Sequence, residues 1–233
     1  MLRLLIGLLV CQCIGSLLLL MLRGGLNSEA TPSAGRIIAS ALCFQGITLA
    51  LLWRFLNEHQ TGWLTGFGFR HDVPKAIGLG ALVIGLFLPI GWGLMTLSVA
   101  LMKKFGIEPS LQLALQALRN SGSMSDFIAL GIATIILAPI AEETLFRGVL
   151  YPAIKQYGFP RAALWGTSAL FALIHFNVAI FLPLLLLALL LVWLYEKTDN
   201  LLAPIAAHAT FNAVNFAMFF LTEDVARKLP VQP

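Results

Sequence analysis

The chain has 233 residues, of which 59% are hydrophobic and 11% charged, with a mean hydropathy of +0.88. That leaves too little polar surface for a soluble domain of this length, so the composition is that of an integral membrane protein. The formal net charge of +4 is spread thinly, with no basic block, which argues against nucleic acid as a partner and leaves a modest attraction to lipid headgroups.

A helix needs about 20 apolar residues to cross the hydrocarbon core of a bilayer. The first such run is Leu4–Leu22. It is longer than the ~7–15-residue core of a signal peptide and no A-x-A site follows, so it reads as a membrane helix. The second is Ile37–Leu56, reached through the turn-rich "RGGLNSEATPSAGR". Cys11, Cys13 and Cys43 fall in these two runs without the spacing or histidines of a metal site and read as small apolar filler. Residues 57–75 form a glycine-rich loop in which Trp63, Phe67 and Phe69 are expected at headgroup level, and His59 and His71 in solvent.

The third run, Ala76–Met102, carries Gly78, Gly80, Gly85, Gly91 and Gly93, which predicts close packing, and Pro89, which predicts a bend. In the segment 103–126, Leu111, Leu115 and Leu118 recur at helical spacing, with Gln112, Gln116 and Arg119 largely on another face. A short interfacial helix fits this pattern. Phe127–Leu150 is the fourth span. Arg161–Lys197 is too long for one helix and divides at the polar "HFN" of 175–177, giving Arg161–Phe176 and Ile180–Lys197. The first piece is only about 24 Å long, which places His175 below the membrane surface in a protein-lined pocket. Leu201–Leu221 is the last span.

The expected fold is therefore all-α: a polytopic membrane bundle of about seven transmembrane helices plus a short interfacial helix, with residues 1–233 as one integral membrane domain and no soluble domain. Lysines and arginines divide eight against seven between the two sides, so the positive-inside rule gives no orientation.

Ionisable or strongly polar side chains enter apolar helices at three places: Glu142, Glu143 and Arg147 in "APIAEETLFRGVLY"; His175 in "FALIH"; and His208 with Asn212 in "HATFN". A charge at bilayer depth costs about 2.5–3.5 kcal/mol on insertion scales, so each place is a functional-site hypothesis. Glu143 and Arg147, four apart, account for each other as an ion pair. Glu142 is turned about 100° away and has no sequence-local cation, which suits a general base. Taken singly, Phe171 reads as packing, and His175, His208 and Asn212 as interhelical hydrogen-bond glue, with Asn215 a weaker case. Together they offer a base, two imidazoles and an amide donor, which can deprotonate water and stabilise an oxyanion. Glu142, His175 and His208 are also a zinc-ligand set with an open fourth position. No H-E-x-x-H is present, so both histidines do not come from one helix.

"EETLFR" matches E-E-x-x-x-R, "FALIH" matches F-x-x-x-H and "HATFN" matches H-x-x-x-N, in that order. Over residues 125–221 the sequence resembles the CPBP family of intramembrane proteases, which takes in type II CAAX prenyl endopeptidases, bacteriocin-processing and immunity proteins and an abortive-infection group. The resemblance implies a site sunk in the bilayer, a catalytic core at 125–221 and hydrolysis of a peptide bond in a membrane-associated or lipidated substrate. By motif position Glu142 would activate water with help from His175, His208 and Asn212 would hold the oxyanion, and Glu143 and Arg147 would support the site. The family is often labelled metalloprotease, although a metal-free glutamate–histidine mechanism uses the same residues. The implied partners are membrane lipids and a membrane-anchored peptide or protein, and the implied location is the cell membrane. A non-catalytic immunity or partner-binding protein of the same fold is the alternative. A proton-relay transporter is disfavoured, because no repeated half or matched pair of broken helices is present.

Overall fold

The structure is a computed structural model that describes residue 7 and residues 34–69, 72–109, 116, 119 and 123–228, with 222–228 by backbone alone. The expected helix Leu4–Leu22, Cys11, Cys13 and His71 lie outside the described residues, as does most of the expected interfacial helix. Of that helix Gln116 and Arg119 are described, and both are helical.

All regular structure among the described residues is helical: α1 (Ala34–Glu58), the single turn α2 (Trp63–Gly66), α3 (Val73–Lys104), α4 (Met124–Gln156), α5 (Pro160–Leu173), α6 (Val178–Thr198) and α7 (Leu202–Lys228). Five of these are long and apolar enough to cross a membrane: α1, α3, α4, α6 and α7. At 14 residues, or about 21 Å, α5 falls short of crossing alone. The protein is an all-α membrane helix bundle, as its composition requires.

The break between α5 and α6 falls where "HFN" predicted it. Phe176 turns left-handed with φ 48°, and the Asn177 side chain then caps α6 by accepting from Ala179 N at 3.0 Å. The central element is α6, which packs against α3, α5 and α7. Leu187, Ala188, Leu191 and Leu194 along it are wholly buried. A helix apolar all round belongs in such a place.

Two expectations are corrected. Close packing of α3 rests on Gly80, where an added Cβ would lie 2.5 Å from Ala203 O of α7; Gly78, Gly85 and Gly93 meet nothing within 4 Å among the described residues. Phe67 is buried inside the protein and does not face headgroups: it clusters with Leu56 and Leu201, and its carbonyl accepts from Leu201 N at 2.9 Å. The adjoining Gly68 makes this docking possible. Its φ is +71°, and a Cβ there would sit 2.0 Å from Asp199 O.

Candidate active site

The helix that carries the carboxylates is not a regular α-helix. Within α4, π-helical turns at Ala133–Leu137 and Thr144–Leu150 flank the α-helical Ala138–Glu143. A π turn bonds i to i+5, which widens the helix and changes where the next side chains point. It also loosens the regular backbone pairing, and α7 meets the freed Thr134 carbonyl: Asn212 Nδ2 donates to Thr134 O at 2.9 Å.

The polar centre is built around Glu143. Its Oε1 accepts from Arg147 Nη1 at 2.8 Å and from His208 Nδ1 at 2.8 Å. Arg147 Nη2 donates onward to Ala188 O of α6 at 3.0 Å. One carboxylate and one guanidinium thus tie together α4, α6 and α7. Glu143 is 0% exposed and Arg147 1%, so both charges have left water and stand only through these partners. A carboxylate can only accept, so His208 Nδ1 carries the proton in this bond. The opposite ring nitrogen, Nε2, faces Glu142 Oε2 at 4.0 Å.

Phe171, wholly buried, is the apolar hinge of the site. Its ring centroid is 4.6 Å from Arg147 Cζ, 5.5 Å from the His208 ring in an edge contact and 5.0 Å from the His175 ring. His175 Nδ1 donates to Phe171 O at 2.7 Å, which leaves Nε2 of that ring for other work. His175 therefore joins the site through Phe171 and is not hydrogen-bonded to Glu142.

Glu142 differs from its neighbour. Its side chain is 18% exposed; like Glu143 Oε2, its Oε2 has no hydrogen-bond partner among the described residues. Glu142, Glu143, Arg147 and His208 are brought together directly, Asn212 lies one turn beyond His208, and His175 stands across the Phe171 ring. Among the described residues no three His, Cys, Asp or Glu side chains are grouped so as to hold a metal ion. Of the expected set Glu142, His175 and His208, both imidazoles keep Nε2 clear of the bond that Nδ1 makes, and Glu142 lies 4.0 Å from His208 Nε2.

Sequence reasoning missed three features. Glu143 was accounted for by Arg147 alone, yet a guanidinium has five donors and a lone buried carboxylate cannot satisfy them; that deficit was the available signal. Nothing in the sequence pointed to Ala188 O or Thr134 O, which are backbone groups. The π turns were missed too, although each ends two residues before a proline, Pro139 or Pro152, that lacks the N–H of regular pairing.

An apolar bundle with a charged, hydrogen-bonded knot inside it defines a membrane protein with a buried polar site. Residues 124–214 match the Rce1-like family, described as Type II CAAX prenyl endopeptidase Rce1-like. The resemblance read from the three motifs is borne out over this segment, which is similar to that family. The chain is similar to UPF0177 protein YxdF of Lactococcus lactis subsp. lactis (strain IL1403), 29% identical over 96 residues that make up 41% of this chain and 52% of that protein. It is also similar to Uncharacterized protein YpbD of Bacillus subtilis (strain 168), 38% identical over 96 residues, 40% of this chain and 46% of that protein. The chain thus spans about half the length of the curated relatives it matches. No solved structure matches it.

Proposed function

We propose that this protein is an intramembrane endopeptidase that hydrolyses a peptide bond in a membrane-associated or lipidated substrate, with residues 125–221 as its catalytic core and the cell membrane as its location. The observation that carries this reading is the contrast between adjacent carboxylates. Each keeps one buried oxygen without a partner among the described residues, but Glu143 is sealed and holds Arg147 and His208 through Oε1, whereas Glu142 is partly exposed and lies 4.0 Å from His208 Nε2. A group that must meet water and substrate needs that freedom, and a group that must orient a histidine needs the opposite.

In the proposed reaction Glu142 takes a proton from water, with Nε2 of His175 helping to orient it. The hydroxide adds to the scissile carbonyl. In its protonated form His208 presents Nε2–H to the developing oxyanion, and the second N–H of Asn212 does the same. Collapse breaks the C–N bond as Glu142 returns the proton to the departing amine. Glu143 and Arg147 hold His208 in place.

The test is cleavage of membrane-anchored peptides by purified protein in a lipid bilayer. Glu142→Gln should lower the rate by about 10²–10⁴-fold and leave the unfolding midpoint unchanged. Full activity in that variant would remove Glu142 from the mechanism.

A further inference from the structure

The buried face of α1 is apolar at both ends and polar in the middle. Ile38, Gln45 and Leu52 are seven residues apart and so form one line down the helix. Ile38 packs on the cluster of Leu130 and Phe216, and Leu52 packs with Val149. The middle of the line must then lie level with the middle of the stretch between Leu130 and Val149. That is Ala138–Glu143, against which α1 does pack. Gln45 is 7% exposed and occupies that middle position.

Glu142 belongs to that same stretch. Gln45 Oε1 is buried with no hydrogen-bond partner among the described residues, as is Glu142 Oε2. Thr48, the next polar residue of α1, is satisfied within its own helix by donating to Phe44 O at 2.8 Å. Two buried acceptors at one level of two packed segments, both without donors, are expensive at bilayer depth unless something supplies an N–H or O–H to them.

We infer that Gln45 is a substrate-binding residue of this site, its side-chain amide hydrogen-bonding a backbone peptide group of the substrate beside Glu142. The inference rests on the endopeptidase reading and deepens it. A peptide drawn into the bilayer brings N–H and C=O groups that have lost water. A carboxamide can accept from the N–H with its oxygen and donate to the C=O with its nitrogen, without carrying a charge. Gln45 lies outside the Rce1-like segment 124–214, so α1 would supply part of the substrate site that the three motifs do not contain.

The experiment measures binding of a fluorescent S-farnesylated CAAX peptide to nanodisc-embedded Glu142→Gln protein, which holds the probe without cutting it. Adding Gln45→Met, near in length but without the amide, should weaken binding about tenfold, and Thr48→Val should not. Probes with backbone amides replaced one at a time by esters then locate the bond. One ester should cost the Gln45 protein about tenfold and the Gln45→Met protein nothing. Should the methionine variant fail to fold, Gln45→Asn, which withdraws the amide by one methylene, should show the same ester pattern. Unchanged binding in Gln45→Met, or equal ester losses in both proteins at every position, would overturn the assignment. Cleavage by wild type and none by Glu142→Gln upholds the endopeptidase reading whatever Gln45 does. A wild type that neither binds nor cuts the probe defeats that reading, and Gln45's role falls with it.

Discussion

Two ion pairs in this protein share a spacing and a length but little else. Arg54 and Glu58, at the end of α1, are four apart and meet at 2.8 Å; Glu143 and Arg147, inside α4, are also four apart and also meet at 2.8 Å. The first pair is 74% and 49% exposed, the second 0% and 1%. Exposed charges keep their hydration, so their pairing contributes about 0.2–0.5 kcal/mol. Buried charges forfeit several kcal/mol of hydration each and must recover it from partners. Arg147 does so through Ala188 O as well as Glu143, and Glu143 through His208 as well as Arg147. The exposed pair decorates a helix end, and the buried pair fastens α4 to α6 and α7.

The largest effect expected from this contrast is on Arg147. Arg147→Ala leaves Glu143 buried without its cation and should cost about 3–5 kcal/mol of stability, read as a large fall in the unfolding midpoint in detergent. Glu143→Gln should cost a similar amount by stranding the guanidinium. Combining Glu143→Gln with Arg147→Ala should cost clearly less than the sum of the two single changes, because neither charge is then left alone. Additive losses would mean that the pair does not act as a unit.

Which pair would be buried was legible from the sequence, because Glu143 and Arg147 end a long uncharged run while Arg54 and Glu58 border a polar loop. The break between α5 and α6 was legible for a local reason too: Asn177 caps the following helix with its own side chain. The third partner of the buried pair was not. His208 is 65 residues from Glu143, and no local spacing reports a contact that forms only when α7 docks on α4. The π turns at Ala133–Leu137 and Thr144–Leu150 were only half legible: each ends two residues before a proline, Pro139 or Pro152, whose missing N–H interrupts regular pairing, but a proline does not say which pairing replaces it. Phe67 was misread because an aromatic in a glycine-rich loop suits either the headgroup layer or a docking pocket, and Gly68 against Asp199 O decides it. Gln45 was visible as a polar residue in the run Ile37–Leu56, and only the line it shares with Ile38 and Leu52 gives it a direction.

Between the two extremes lies a neutral buried link. Asn212 Nδ2 donates to Thr134 O, where α4 departs from α-helical pairing. Asn212→Leu removes the donor and leaves that carbonyl unmatched, at an expected cost of about 1–3 kcal/mol. The comparison is sharpened if this loss falls between those of Arg147→Ala and Arg54→Ala, since charge and burial then contribute separately. Gly80→Val tests close packing without polarity, by forcing α3 away from Ala203 O, and should also cost about 1–3 kcal/mol.

The smallest effect is expected at Arg54, and it is the one that could break the comparison outright. Arg54 precedes Glu58, the less favourable order for a pair four apart on a helix, whereas in the buried pair the glutamate comes first. Arg54→Ala should therefore lower stability by no more than about 0.5 kcal/mol. The difference should vanish in high salt, where the screening length falls to about 3 Å at 1 M. The loss caused by Arg147→Ala should hardly change with salt, because no ions reach a pair sealed behind Phe171 and α6. Measuring both variants at low and high salt thus separates spacing from burial. Equal salt sensitivity would mean that water reaches Glu143, and the division of labour between the two carboxylates would then have to be redrawn.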